Sequence, residues 1–238
     1  MSNIVELKKV NKTYKIEKKE IKILDSVDLK IKEGEFIVIS GSSGSGKSTL
    51  LKLIGALEKS TSGQILINEV DISNYKETEL TDFRAENIGF VFEEPKLLSM
   101  LTVKENIKLA MDVKDIGADT DLKSFLKEFG FIKLKGKFPH QLTNLEKQKV
   151  QIAMSLAKKS KLILCDEPTG RLYSNETGEV VSLLKKQTGN KKDKTTVIFA
   201  THNLLFESIA DTVIKLKDGK VVKITKNKKK KNIEDISW

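Results

Sequence analysis

Residues 41–49 read GSSGSGKST. The apolar run FIVIS (36–40) precedes them, and STLLKLIGAL (48–57) follows with apolar residues at helical spacing. A buried strand should therefore turn through a glycine-rich loop straight into a helix. The pattern G-x-x-x-x-G-K-[ST] in that context predicts a triphosphate cradle. Gly41, Gly44 and Gly46 let the backbone bend so that successive N–H groups, with those of Ser42, Ser43 and Ser45, face an anion at the helix N-terminus. Lys47 is placed to reach the β- and γ-phosphates, Ser48 to ligate Mg²⁺, and Thr49 closes the motif. The expected ligands are a nucleoside triphosphate and Mg²⁺.

Working outward, LILCDE (162–167) is an apolar run ending in two carboxylates. A strand that delivers Asp166 to its C-terminal end sets it beside such a loop, where it can hold Mg²⁺, and Glu167 one residue on can deprotonate a water. TVIFATH (196–202) is a second such run and brings His202 to the same edge. Lys47, Glu167 and His202 are the candidate catalytic residues; His140 is read as structural. The fold class expected is α/β, a parallel sheet with flanking helices and an antiparallel β subdomain at the N-terminus. The first ninety residues otherwise read as strands and turns, with alternation in VDLKIK (27–32). Residues 93–158 turn helical, in TVKENIKLAMDV, DLKSFLKEFGF and NLEKQKVQIAMSLAKK. In HQLTNLEKQK (140–149), Thr143 and Glu146 form a Thr-x-x-Glu capping box. VIKLKDGKVVKI (213–224) reads as a hairpin about Asp218-Gly219. Residues 1–225 form one domain, and 226–238 a basic, mobile tail.

The formal charge is +10, carried by lysines apart from Arg84 and Arg171. Lysine lacks the fork that reads guanine, and no basic run alternates with aromatics, so no specific nucleic acid partner is expected. Most of the charge reads as a solvated surface; the tail KNKKKK is alternatively suited to anionic lipid. No apolar run approaches the roughly 20 residues of a membrane span. The start lacks a secretory pattern, and one cysteine, Cys165, forms no internal disulfide. A cytoplasmic location follows as the expectation.

From Ile4 to Ile224 the chain resembles the ATP-binding subunit of ABC transporters. The carriers of the resemblance are Tyr14 in VNKTYK, GSSGSGKST, FVFEEPKLLSMLTVKENI, HQLTNLEKQKVQIAMSLA, LILCDEPTG and ATHN. PTG, SNETGEVVSLL and IKLKDGKVV look most like the macrolide-export, lipoprotein-release and antimicrobial-peptide-resistance branch. The resemblance implies a P-loop NTPase core, adenine stacking on Tyr14, and docking to a separate membrane permease on the inner face of the membrane. It also implies a head-to-tail dimer with itself or a second ATP-binding chain.

The chain departs from the family where residues serve the neighbouring subunit. Glu93 replaces a glutamine that touches Mg²⁺ and the attacking water; it remains a competent metal ligand. The signature LSGGQ becomes Leu142, Thr143, Asn144, Leu145 and Glu146, and the later Asp-containing loop becomes Gly170, Arg171, Leu172 and Tyr173. Asn144 and Leu145 are expected to place side chains where glycines would admit a phosphate, and Glu146 to add charge there. Two readings follow: the degenerate member of an asymmetric ATPase pair, or a homodimer of low activity. A further alternative is an ATP-dependent regulator or scaffold that transmits force without transport.

Overall fold

Strand β3 (Phe36–Ser40) is buried at all five residues because it lies inside a six-stranded sheet with both faces covered. The computed structural model describes residues 2–112, 119–189, 195–236 and 238. Before β3 come two long antiparallel strands, β1 (Asn3–Ile16) and β2 (Lys19–Lys32). After it come α1 (Lys47–Ile54), β4 (Ser62–Ile67), β5 (Val70–Asp71), α2 (Glu77–Asn87) and β6 (Ile88–Phe92). The helical segment holds α3 (Val103–Asp112), α4 (Asp119–Glu128) and α5 (Asn144–Ala157). The chain then returns through β7 (Leu162–Asp166), α6 (Ser174–Lys185), β8 (Thr196–Thr201), β9 (Thr212–Lys217) and β10 (Lys220–Lys226).

The strands form two sheets, β2-β1-β4-β5 and β10-β9-β3-β8-β7-β6. The first is antiparallel; in the second only β10 runs against its neighbour. The fold class read from the sequence is therefore the one observed. Register sets the working edge: Ser40 pairs with Thr201, and Asp166 with Ala200. The chain leaves β3, β7 and β8 at one level, so the loops beginning at Gly41, Glu167 and His202 share one rim.

One apolar cluster joins the antiparallel sheet to α1 and one face of the large sheet. A second fills the opposite face under α6. A third lies within α3, α4 and α5. Each fully buried aliphatic side chain contributes about 1.5–3 kcal/mol, which is what fixes the strands. At the β9–β10 turn Asp218 and Gly219 both have positive φ, as a two-residue primed turn requires. A Cβ on Gly219 would lie 2.3 Å from the Ile23 carbonyl, so this turn packs directly against β2.

Two expectations require correction. The first ninety residues are not only strands and turns, since α2 stands at 77–87 with Leu80 its single buried residue. Its fold comes from outside the helix: Arg84 Nη1 donates to the Ala56 carbonyl at 2.5 Å, and Phe83 packs on the first cluster. The basic tail is also not a free charge run. Ile233, Ile236 and Trp238 pack on the second cluster, and Trp238 lies 4.9 Å from Phe206, ring centre to ring centre. Burial of three apolar residues outweighs the lysines beside them.

Candidate nucleotide site

Gly46 has φ 102, a conformation an L side chain rarely adopts, and it caps α1 without any side-chain oxygen. The helix therefore begins with bare N–H groups facing outward. Ser42, Ser43, Gly44, Gly46, Lys47, Ser48 and Thr49 line a cleft of about 780 Å³. Glu93, Glu167 and His202 line the same cleft, so four separate segments of the sequence converge there. Gly41 lies just beneath, where a Cβ would meet the Leu216 carbonyl at 2.4 Å; Ser45 is buried.

Lys47 is almost wholly buried and donates to the carbonyls of Gly41 at 2.8 Å and Ser42 at 3.0 Å. Its ammonium is 3.8 Å from Glu167 Oε1. That same oxygen lies 3.0 Å from His202 Nδ1. Glu167 itself sits at φ 46, a strained position for a non-glycine residue, held by its N–H to the Ala200 carbonyl at 3.0 Å.

Ser48 Oγ donates to Asp166 Oδ1 at 2.9 Å. Burial raises the Asp166 pKa; the Ser48 bond opposes this, and the Glu167 charge adds to it. A carboxylate in that position favours a nearby cation. A hydroxyl and a carboxylate, both hard oxygen donors, fit Mg²⁺, which takes one or two side chains and fills its shell with phosphate and water. Among the described residues no three His, Cys, Asp or Glu side chains gather to hold a metal unaided.

Glu93 is exposed, and its Oε1 lies so near Gly170 that a Cβ there would be 3.0 Å away. Its backbone is set by α5: Gln151 Oε1 accepts from Phe92 N at 2.8 Å, and Gln148 Nε2 donates to the Phe92 carbonyl at 3.0 Å. These two glutamines were not singled out from the sequence. Their signal was a polar pair three apart on the buried face of an otherwise apolar helix.

Tyr14 lies on β1 opposite Ile21, with Ile23 on the same face at the mouth of the cleft. The signature segment stands apart from this cleft. Thr143 Oγ1 accepts from Glu146 N at 3.2 Å, and Glu146 Oε2 accepts from Thr143 N at 2.8 Å, completing the capping box. Asn144 is exposed. Leu145 corrects an expectation: it is partly buried against the second apolar cluster, so its side chain turns inward. Asn144 Nδ2 lies 3.4 Å from the Arg171 carbonyl, and Arg171 Nη1 lies 3.7 Å from Glu94 Oε1. Two of the departures from the family pattern are thus in contact with each other.

The family description "ABC transporter" matches residues 24–170, more than half of the chain. The chain belongs to the ABC transporter family. It is similar to an ABC transporter ATP-binding protein of Methanocaldococcus jannaschii, with 40% identity over 225 residues, 92% of this chain and 95% of that protein. It is also similar to the bacitracin export ATP-binding protein BceA of Halalkalibacterium halodurans. There the identity is 34% over 221 residues, 92% of this chain and 87% of the relative. Among solved structures, a dimer of the M. jannaschii cassette MJ0796 bound to ADP and Pi superposes with TM-score 0.85 at 38% identity, covering 93% of this chain and 98% of that one. As an ABC cassette the chain is an ATPase and binds ATP. No described helix is long and apolar enough to cross a membrane.

Proposed function

We propose that this chain binds Mg-ATP and couples its hydrolysis to a separate membrane permease of the export or peptide-resistance type, working as a head-to-tail dimer at the cytoplasmic face of the membrane. The observation that carries this reading is the convergence of Lys47, Ser48, Asp166, Glu167 and His202 on one rim, with an exposed apolar loop following Glu93 in the chain. In that loop Leu98 is 46% and Met100 80% exposed, ahead of α3, where a membrane partner would dock. The similarity to a bacitracin export protein supports the export or resistance branch.

In this reading Lys47 leaves its loop carbonyls to hold the β- and γ-phosphates. Ser48 and Asp166, with Glu93, would hold Mg²⁺, which would supply charge neutralisation at the phosphates. Glu167 accepts a proton from water as the water oxygen bonds to the γ-phosphorus and the bond to the bridging oxygen breaks, leaving ADP and phosphate. His202 keeps the Glu167 carboxylate aimed.

A second reading, that the chain is the degenerate member of an asymmetric pair, is favoured by where the departures fall. Lys47, Ser48, Asp166, Glu167 and His202, used within the chain, are intact, whereas Asn144, Leu145 and Arg171 lie on segments offered to a neighbour. The test is co-purification of the tagged chain from membranes. Recovery of a permease with this chain alone supports the homodimer; a second ATP-binding chain supports the pair. Recovery of no membrane protein would overturn both, and a partner that moves no substrate would point to force transmission.

A further inference from the structure

The aromatic ring assigned above to the base of ATP is itself held by a side-chain network. Tyr14 Oη donates to Glu58 Oε2 at 2.5 Å. Glu58 follows α1, the helix that the phosphate loop opens, so this bond ties the β1 strand to that helix. Two lysines fix the carboxylate: Lys12 Nζ is 3.2 Å from Oε2 and Lys52 Nζ 3.3 Å from Oε1. Lys12 is doubly engaged, donating to the Lys59 carbonyl at 2.8 Å while its ammonium sits 4.8 Å from the Tyr14 ring centre. Backbone bonds reinforce the join, with Thr13 N to Thr61 Oγ1 at 2.9 Å and Thr61 N to the Asn11 carbonyl at 2.8 Å.

Tyr14 stands near the free end of the long β1–β2 hairpin, where a side chain would ordinarily sample several rotamers. Here its hydroxyl is anchored and one ring face carries a cation. A ring so fixed loses no rotamer freedom on binding, and a cation over one face draws density from it, favouring a purine on the other. We propose that Glu58 is a positioning residue for the nucleobase: it locks Tyr14 as a platform at the mouth of the phosphate cleft, with Lys12 closing the ring face away from the base. This rests on the reading of Tyr14 as the base contact.

The experiment is calorimetric titration of the full chain with Mg-ATP, Mg-ADP and Mg-tripolyphosphate. Glu58→Gln should weaken ATP and ADP alike, by about five- to tenfold, and leave tripolyphosphate unchanged. Tyr14→Phe, which keeps the ring but loses the anchor, should show a similar loss. Adding Glu58→Gln to Tyr14→Phe should then have little further effect, because both act through one bond. Lys12→Met should weaken both nucleotides to a smaller extent. If Tyr14→Ala leaves ATP affinity unchanged, the base-contact reading itself is wrong. If Tyr14→Ala weakens ATP but Glu58→Gln does not, the positioning role alone is overturned. An equal loss for tripolyphosphate, or additive losses in the double variant, would likewise overturn it.

Discussion

His202 Nδ1 and Glu167 Oε1 are 3.0 Å apart although they follow different strands, β8 and β7. The contact exists because Asp166 and Ala200 are in register, so the segments leaving β7 and β8 emerge side by side. Glu167 is thereby fixed between an imidazole and the Lys47 ammonium, aimed into the cleft. Removing its basicity while keeping its shape should separate chemistry from binding. Glu167→Gln is expected to lower ATP turnover by about 10²–10⁴-fold and to leave ATP affinity within a few fold, as read by phosphate release and calorimetry.

Lys47 is buried among the carbonyls of its own loop and has the only ammonium within reach of that cleft's floor among the residues lining it. Charge-assisted bonds to phosphate are worth about 1.5–3 kcal/mol. Lys47→Ala should therefore weaken ATP binding by roughly 10- to 100-fold, measured by the same titration.

Restoring glycines at the signature tests the trans role. The variant Asn144→Gly, Leu145→Gly, Glu146→Gln should raise turnover where this segment limits it. The cost is predictable, because Leu145 packs on the core and glycine is a poor helix residue. About 1–2 kcal/mol of stability should be lost, seen as a lower thermal midpoint, while Gln at 146 keeps the capping box. A rise in turnover without loss of stability would contradict the inward placement of Leu145.

Acid sensitivity is expected where the two sheets are pinned. Asp25 pairs with Lys22 of the same strand and with Lys220 of β10 at 3.0 Å, and these bonds hold its pKa at about 2, against an ordinary 3.8. Because the folded pKa is the lower one, the stability it contributes is present above pH about 4 and fades as pH falls toward 2. Asp25→Asn should lower stability slightly at neutral pH. Its denaturation profile between those pH values should be flatter than that of the unaltered chain.

The sheet and its rim were legible because they rest on local signals: an unbroken apolar run, a glycine loop, and carboxylates at a strand end. The signal at α2 was weak, since one buried residue in eleven gives no apolar stripe and the helix depends on Arg84 reaching Ala56. The docking of the tail was hidden for a related reason. Ile233, Ile236 and Trp238 are spaced among polar residues, and only the groove beside Phe206 makes them a set. At the candidate site, residue types and order named Lys47, Ser48, Asp166, Glu167 and His202. The Glu58 anchor and the Asn144–Arg171–Glu94 contacts join segments far apart in the chain, where spacing carries no information.

Trp238 is the chain's single tryptophan, and its ring lies against Phe206, in the short turn Leu204–Ile209 that begins two residues after His202. The same turn is gripped by Asn227, whose amide donates to the carbonyls of Glu207 and Ala210. The protein therefore carries a built-in fluorophore behind His202 of the nucleotide cleft. Its emission offers a label-free optical record of nucleotide arrival and departure, in a chain whose other aromatic side chains would contribute little at the same excitation.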